Sequence, residues 1–433
     1  MTSGGASRGG NGGERAAVSS FFPWIVWSLG ALFYCYGFFQ RVAPSVMVEE
    51  LMRDFAASAA ILGNLSAFFY YAYAGVQLPV GILVDRYGAR SMLTAAAVLC
   101  ASGSLLFATT DSLWLAYLGR LMIGAGAGFT FVGTLKLGAV WFPPRRFALL
   151  TGMTLMMGML GGVGAQAPLA AAVAEVGWRA TLIAAAAIGL FLAVAIWLVV
   201  RERPAPGGPP IVRRGLLHGL GQVLRTPHNW TIGLYTFVMT APMWAFAALW
   251  GVPYMMQAHG LGRPAAAIST SFMLIGWAVG SPAAGWFSDH IGRRKLPMMI
   301  GALGGLGTFV ALIYVPDLPL AAVRFLIFAN GFFCGITGVA YALAREHNPP
   351  EASGVTLGCI NAAVPLSASV FQPLVGWLLD LGWDGTLTAG ARIYTPETFR
   401  SAFLTIVVAG VVAVVAAWRV RESGCRQVVG AGE

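Results

Sequence analysis

Twelve long apolar stretches constrain this chain more than any other feature. They lie at about 21–47, 60–84, 91–109, 114–141, 147–173, 180–200, 231–256, 265–288, 296–314, 318–344, 354–379 and 399–418. A helix needs about 20 apolar residues to cross the hydrocarbon core of a bilayer. Only 10% of the 433 residues are charged, whereas a soluble domain has about a quarter. The sequence therefore predicts an all-α integral membrane protein with twelve transmembrane spans in a lipid bilayer.

The segments outside the spans divide the chain into two halves. Residues 1–20 are rich in Gly and Ser and predict a disordered tail. Residues 201–229 contain PAPGGPP and then IVRRGLLHGLGQVLR, which predicts a basic amphipathic linker along the membrane surface. We expect six spans within residues 21–200, six within residues 230–420, and a tail over residues 421–433.

The positive residues between the spans indicate how the chain is oriented. Most of them fall on segments that share a face with the N-terminus, and the positive-inside rule places that face in the cytoplasm. We therefore expect both termini and the linker in the cytoplasm. The net charge of +10 also raises nucleic acid as a partner. Topology explains this charge better, because the cations alternate with apolar spans, and no nucleic-acid partner is expected.

A short motif occurs twice, 204 positions apart. Gly81–Arg90 reads GILVDRYGAR and Gly285–Arg294 reads GWFSDHIGRR, each at the end of an apolar stretch. A second pair has the same offset, because Arg120 opens RLMIGAGAGF and Arg324 opens RFLIFANGFF. Two matched landmarks at one spacing indicate an internal duplication.

The twelve spans, the central basic linker and the doubled GxxxDRxGxR pattern resemble the major facilitator superfamily. The second copy departs from the pattern by carrying His290 where the first has Arg86. The resemblance implies two pseudo-symmetric six-helix bundles that work by alternating access.

The resemblance also implies a gating role for the motif. Its Asp would cap a neighbouring helix and its Arg would form ion pairs in only one of two states. The alternative is that the motif only anchors its loop. The residues assigned to the gating motif are Gly81, Asp85, Arg86, Gly88, Arg90, Gly285, Asp289, Gly292, Arg293 and Arg294.

Three stretches point to a group within the superfamily. FFQRVAPSV in span 1, AFFYYAYAGVQLPVGILVDRYGAR in span 2 and RLMIGAGAG in span 4 are similar to the anion:cation symporters and to the phagosomal nutrient transporters. In the symporters an Arg of span 1 and an Arg of span 4 hold the substrate carboxylate. The matching positions are Arg41 and Arg120. The resemblance to bacterial carriers implies a location in a bacterial inner (plasma) membrane.

Arg41, Arg120 and Arg324 lie inside predicted spans, where a cation costs about 2.5–3.5 kcal/mol. No Asp or Glu falls at the same depth, so an anionic ligand is favoured as the counter-charge. The alternative is that these arginines reach the interface or hold backbone carbonyls. For Arg324 neither interpretation is favoured. Lys136, close to the cytoplasmic end of span 4, is expected to reach the membrane interface.

Aromatic and amide side chains complete the predicted binding site, although such residues in membranes more often serve packing. Those expected to line it beside the three arginines are Tyr34, Tyr70, Tyr73, Trp244, Asn330 and Asn361.

These features predict a secondary active or facilitative transporter for a small anionic or zwitterionic solute that bears a carboxylate, such as an organic anion, a sugar acid, an amino acid or a peptide. The alternative is an efflux carrier of the same fold for drugs or other hydrophobic solutes. The sequence has no nucleotide-binding loop, metal-ligand spacing or catalytic cluster, so no enzyme activity, cofactor or metal is expected. We expect the protein to act as a monomer.

The sequence leaves the coupling ion open. Proton-coupled members of the resembled group carry an acid just before the span 1 Arg and another seven residues after the span 4 Arg. Gln40 and Ala127 occupy these positions here, which argues against simple proton symport. Uniport, exchange, and coupling through an outer carboxylate such as Glu49 or Glu50 stay open.

Overall fold

Twelve helical spans, each long and apolar enough to cross a membrane, form the body of the protein. The computed structural model describes residues 21–143, 146–201, 221, 223–349 and 353–428. The all-α fold class and the twelve predicted spans are confirmed. The helices of spans 1 to 6 are Phe22–Val42, Ala59–Tyr87, Ala89–Thr109, Leu113–Ala127 with Thr130–Trp141, Phe147–Gly164 with Ala167–Val176, and Trp178–Val199. Those of spans 7 to 12 are Pro227–Met239 with Pro242–Trp250 and Gly251–His259, Arg263–Ile291, Lys295–Tyr314, Leu320–Gly335 with Gly338–Glu346, Ser353–Leu381, and Pro396–Arg419.

Short elements fill two of the connections. A 3₁₀ turn at Ala43–Val46 and a short helix at Val48–Asp54 lead from span 1 to span 2. Strands β1 (Leu387–Thr388) and β2 (Ala391–Arg392) form an antiparallel hairpin between spans 11 and 12. The predicted tail at 1–20 and most of the predicted linker lie outside the described residues.

Residues 421–428, which follow span 12, fold back on the second half. The carboxylate of Glu422 accepts hydrogen bonds from the backbone N–H groups of Arg294 and Lys295, at 2.8 and 2.9 Å, where span 9 begins. Ser423 Oγ donates to Glu346, and the backbone N–H of Val428 donates to the Glu346 carbonyl at 2.8 Å. We call residues 421–428 the C-terminal clasp.

The two halves repeat the same helix packing. Span 3 packs against spans 4 and 6, and span 9 packs against spans 10 and 12 in the same way. Spans 2 and 4 pair in the first half as spans 8 and 10 do in the second. The duplicated landmarks in the sequence therefore correspond to two bundles with equivalent internal contacts.

The halves meet mainly through spans 2 and 11, and less extensively through spans 5 and 8. We call the face that carries Tyr87, Arg201 and Pro227 the linker face, and the other the opposite face. Between described residues, every hydrogen bond and ion pair that joins the halves lies nearer the opposite face. These contacts join Glu49 and Glu50 to Arg263, Ala59 and Ala60 to Asp380, Ala59 to Tyr394, Tyr71 to Ser369, and Gln166 to Ala247 and Thr270.

The linker-face ends of the same spans are solvent- or lipid-accessible. Tyr87 at the end of span 2 is 50% exposed, and Trp286 near the end of span 8 is 69% exposed. Between described residues, the polar contacts that close the bundles against each other are therefore concentrated towards the opposite face.

A π-helical segment, Pro242–Trp250, interrupts span 7, and all of its residues are buried. A π-helix shifts the hydrogen-bonding register, and such segments are frequent at functional sites. Two amide side chains bond its carbonyls: Gln372 Nε2 donates to Trp244 O at 2.7 Å, and Gln166 Nε2 donates to Ala247 O at 3.0 Å. Both glutamines are fully buried, so this segment is held from spans 5 and 11.

Candidate functional site

Arg41 lies in the last turn of the span 1 helix, at the junction of the two bundles. Its guanidinium carbon is 4.4 Å from the ring centroid of Phe38, 4.5 Å from Tyr73 and 5.0 Å from Trp244. Phe69 and Tyr70 are also within reach, at 5.5 and 5.9 Å. These distances allow cation–π attraction. We call this cluster the Arg41 cage; it consists of Arg41, Phe38, Phe69, Tyr70, Tyr73 and Trp244.

The local sequence explains how the cage forms. Phe38 precedes Arg41 by three residues and Phe69 precedes Tyr73 by four, so each pair shares a helix face. The Phe69 and Tyr73 rings stack with centroids 6.0 Å apart. Trp244 comes from the π-helical segment of the other bundle, and its ring is 6.0 Å from that of Tyr70. The cage is therefore assembled across the junction.

Two nitrogen atoms of the cage are buried without hydrogen-bond partners. The side chain of Arg41 is only 6% exposed, yet its Nε has no hydrogen-bond partner and it forms no ion pair with a described residue. Trp244 Nε1 is also buried without a partner, whereas the buried Tyr70 hydroxyl lies beside the side chain of Gln372. Buried polar groups in proteins are nearly always hydrogen-bonded. A buried cation whose Nε is unpaired, beside the unpaired donor of Trp244, marks a place suited to an anionic group.

Gln372 links this cluster to span 11. Its Nε2 is committed to the Trp244 carbonyl, and its backbone carbonyl accepts a hydrogen bond from Trp250 Nε1 at 3.0 Å. Its side chain also lies within hydrogen-bonding reach of the buried Tyr70 hydroxyl. Span 11 therefore fixes the position of Trp244 against Arg41.

Arg120 is completely buried beside the cage but is engaged differently. Its Nη1 donates to the carbonyl of Gln40 at 3.0 Å, and its Nη2 points at the carbonyl of Ser66 at 3.4 Å. Its guanidinium carbon is 5.1 Å from the Phe69 ring, which Arg41 also approaches. Of the two roles predicted for Arg120, the structure shows the contact with backbone carbonyls, and ligand contact stays a prediction.

Gln40 faces away from the cage. Its Nε2 donates to the Tyr36 hydroxyl at 2.8 Å and to Ser104 Oγ at 3.1 Å. The position that carries an acid in proton-coupled members of the resembled group is used here for contacts inside the first bundle. Ala127 likewise packs towards Gly37 of span 1.

Four other predicted binding residues surround the site or lie away from it. The Tyr34 ring packs against Phe38, with centroids 5.0 Å apart, so it lies next to the cage. The Asn361 Oδ1 accepts a hydrogen bond from Tyr341 at 3.0 Å in the second bundle. Asn330 Nδ2 donates to Gly305 O at 2.8 Å, between spans 10 and 9. Arg324 is half-buried and its Nε donates to Ser269 Oγ of span 8 at 3.2 Å.

The first copy of the gating motif makes contacts within its own bundle. The Asp85 carboxylate pairs with Lys136 Nζ at 2.6 Å. Lys136, which was expected to reach the membrane interface, thus reaches an exposed carboxylate at the linker-face end of span 2. Arg90 stacks on Trp197 at 4.1 Å and donates to its carbonyl, and Arg86 lies over Tyr87. Gly88, with φ of +84°, makes the turn into span 3.

The second copy is more buried and more highly bonded. Arg294 pairs with Asp289 at 2.6 Å and with Glu346 at 2.7 Å, and it also donates to Ser288 Oγ. Glu346 in turn bonds the C-terminal clasp. Gly292, with φ of +64°, makes the turn before Arg293. Gly81 and Gly285 each face open space.

Several residues of this region were not predicted from the sequence. Phe38 and Phe69 were missed because phenylalanines in a span are usually packing residues, although their helical spacing from Arg41 and Tyr73 was readable. Gln166 and Asp380 were missed because only the packing of the two bundles brings them to the junction.

Comparison with known families supports the carrier interpretation. The model of the Major Facilitator Superfamily matches residues 28–276 and 232–431. The chain is similar to a probable sulfoacetate transporter, SauU, of Cupriavidus necator, with 21% identity over 81% of this chain and 85% of that protein. It is also similar to a probable nitrate/nitrite transporter, NarK2, of Mycobacterium tuberculosis, with 27% identity over 75% of this chain and 80% of the relative.

Solved structures share the fold at low identity. A bacterial homologue of the human lysosomal transporter Spinster, in an inward-facing and unoccupied conformation, aligns with a TM-score of 0.78 and 18% identity over 94% of this chain and 98% of that one. A mutant of the nucleoside transporter NupG aligns with a TM-score of 0.74 and 13% identity over 92% of this chain and 99% of that one.

Proposed function

Because the chain belongs to the Major Facilitator Superfamily, a family of transporters rather than enzymes, we propose that it carries a small organic anion bearing a carboxylate or a sulfonate. Arg41 holds the anionic group. The observation that carries this proposal is the guanidinium of Arg41, buried at the junction of the bundles among five aromatic rings and without a counter-ion or hydrogen-bond partner among the described residues.

The cage explains how such a cation can persist between transport events. Aromatic faces attract a cation by about 0.5–2 kcal/mol, so the rings offset part of the cost of burying an unpaired guanidinium. They do not satisfy its N–H groups. An arriving carboxylate would bond these groups in the bidentate geometry that Arg prefers, and Tyr70 and Trp244 would supply further donors.

The names of the relatives agree with an anionic solute. One is named for sulfoacetate and another for nitrate and nitrite. Arg120, whose Nη atoms are occupied by carbonyls but whose buried Nε has no partner, adds positive potential behind Phe69. Arg324 lies outside the site in this proposal, because its neighbour is Ser269 of span 8.

We assign the linker face to the cytoplasm, because most of the positive residues between spans lie there. The state with a closed opposite face would then be the inward-open one, in which the solute exchanges with the cytoplasm. Rocking of the two bundles about the Arg41 cage would give access from the other side.

An efflux carrier for hydrophobic solutes would also use an aromatic cavity, but it gains nothing from an unpaired buried guanidinium. Substitution of Arg41 separates the two functions. Thermal unfolding of the purified protein should be recorded with a panel of hydroxy acids, sugar acids, dicarboxylates, sulfonates, amino acids and lipophilic cations.

We expect one class of organic anion to raise the Tm, since a ligand at 100 times its Kd adds about 2.7 kcal/mol to the free energy of unfolding. Arg41→Gln should abolish this shift, and the matched variant Arg324→Gln should keep it. Stabilisation by lipophilic cations alone, or an anion response that survives Arg41→Gln, would overturn the proposal.

A further inference from the structure

Asp380, at the end of span 11, caps the start of span 2. Its Oδ2 accepts a hydrogen bond from the backbone N–H of Ala60 at 2.8 Å, and its Oδ1 accepts one from Ala59 at 3.1 Å. The first N–H groups of a helix have no partners within the helix, and they carry the positive end of its dipole. A carboxylate bound there is a strong, charge-assisted contact.

The hairpin between spans 11 and 12 supports this carboxylate. The Tyr394 hydroxyl donates to Asp380 Oδ1 at 2.7 Å and also accepts from the backbone N–H of Ala59 at 3.2 Å. Arg392 Nη1 pairs with the same oxygen at 3.2 Å. Burial and the bond to Asp380 raise the pKa of Tyr394, so its hydroxyl stays protonated and remains a donor. Asp380 is thus held in place by its own bundle.

The contact crosses between the bundles, so it depends on the state of the carrier. Span 2 belongs to the first bundle, whereas Asp380, Arg392 and Tyr394 all belong to the second. Ser58, the side-chain cap from span 2's own bundle, reaches Ile61 at 3.4 Å. Separation of the bundles at the opposite face would therefore leave the N–H groups of Ala59 and Ala60 without Asp380.

We propose that Asp380 is the latch that keeps the opposite face closed, and that each transport cycle must break its bonds to span 2. It is a positioning residue, because it acts on the equilibrium between the two states and not on the solute. The proposal rests on alternating access alone and does not depend on which solute is carried.

Each end of span 2 would then have a carboxylate that influences the equilibrium between the two states. Asp85 lies at its linker-face end, where the family motif is found, and Asp380 binds its opposite-face end. Spans 2 and 11 form the principal contact between the bundles. A latch at their ends therefore acts directly on the contact that holds the bundles together.

Hydrogen–deuterium exchange of the full-length protein tests the latch without a known solute. In Asp380→Asn we expect faster exchange in peptides covering residues 59–66 and 372–381. We expect slower exchange in peptides covering 149–156 and 284–291, because the linker-face ends of spans 5 and 8 become covered when the other face opens. Since minor states are populated at about 0.1–10%, a roughly tenfold rise in the open population is within reach of the measurement.

Asp384→Asn is the matched control. It removes the same charge four residues further along the chain, but Asp384 bonds Thr386 in its own turn and not span 2, so its exchange pattern should equal that of the wild type. Tyr394→Phe removes one hydrogen bond to Asp380, so the exchange rates should change in the same directions but by less. This variant tests the proposal if Asp380→Asn does not fold. Unchanged exchange in both variants would overturn the latch proposal. Faster exchange at both faces would also overturn it, because that result indicates a general loss of stability.

Discussion

Arg41 occupies an environment that few charged side chains tolerate. Only 6% of its surface is exposed, and its neighbours are aromatic rather than acidic. A fixed acid would neutralise the guanidinium permanently, and a solute would then have to displace it. The rings stabilise the cation and leave its N–H groups available, so the site keeps its attraction for an anion.

The contribution of the nearest ring can be measured. Phe38→Leu should lower the free energy of unfolding, and part of that loss, about 1 kcal/mol, should disappear in an Arg41→Gln background because the cation–π contact is then already absent. Thermal unfolding of the four proteins in this double-mutant cycle gives the coupling energy. Phe325→Leu serves as the control, since Phe325 is 66% exposed on span 10 and should show no coupling to Arg41.

The sequence identified Arg41 as a binding candidate because no acid falls at its depth, and the structure gives it no acidic neighbour among the described residues. The same rule also selected Arg324, which instead bonds Ser269. The difference arises from helix rotation. Span 10 turns Arg324 towards Ser269 of span 8, and a span's rotation is set by packing that apolar composition does not specify.

At the scale of elements, the two copies of the gating motif have diverged. The Asp85–Lys136 pair is exposed, with 59% and 32% of the two side chains accessible. The Arg294–Glu346 pair is buried, at 10% and 8%. Exposed ion pairs contribute about 0–1 kcal/mol, whereas removing one partner of a buried pair costs about 3–5 kcal/mol.

We therefore expect Glu346→Ala to lower the free energy of unfolding by about 3 kcal/mol or more and Lys136→Ala by less than about 1 kcal/mol. Denaturation of the two variants, each compared with the wild type, checks the prediction. Equal losses in the free energy of unfolding would show that the two motif copies contribute equally to stability.

The C-terminal clasp should respond to acid. Partial burial raises the pKa of Glu422, but hydrogen bonds from the backbone N–H groups of Arg294, Lys295, Gly424 and Ser423 outweigh this effect, so the pKa lies below its usual 4.5. A lowered pKa means that the ionised form stabilises the folded state. This stabilisation is complete above the usual pKa of Glu and is lost as the pH falls through the lower, folded-state value.

At neutral pH the Tm of the wild type should exceed that of Glu422→Gln. In thermal unfolding from pH 7 to pH 3, this difference in Tm should decrease below about pH 4.5. The difference in Tm between the two proteins should be constant at neutral pH. A difference that persists unchanged at pH 3, or is absent at pH 7, would mean that the clasp does not depend on this carboxylate.

For the whole molecule, closure depends on backbone contact between spans 2 and 11. Gly376 faces the carbonyl of Ala59 so closely that a Cβ atom would overlap with it, and Gly63 faces Gln372 O in the same way. Glycine is required at these positions because any side chain would separate the two helices.

Gly376→Ala should therefore lower the Tm, by an amount equivalent to about 1–3 kcal/mol of overpacking. Gly75→Ala is the control in span 2, because a Cβ there meets nothing within 4 Å. Thermal unfolding without added solute should separate the two variants. An effect of Gly75→Ala as large as that of Gly376→Ala would argue against a specific contact between the bundles.

The spans, their number and the repeat were predictable because span length and hydrophobicity are local properties of the sequence. Which of the two faces is closed was not predictable from the sequence. The bonds from Gln166 to span 7 and from Asp380 to span 2 join residues from different halves of the chain, and no local pattern encodes such pairs. The π-helical segment that places Trp244 was also not predictable, since its carbonyls are bonded from spans 5 and 11.

The most direct test is a structure of the protein bound to the organic anion that stabilises it best. We predict that its carboxylate or sulfonate lies within about 2.7–2.9 Å of the Arg41 guanidinium nitrogens, inside the Arg41 cage. A bound anion held elsewhere, with Arg41 still unpaired among its rings, would contradict the account.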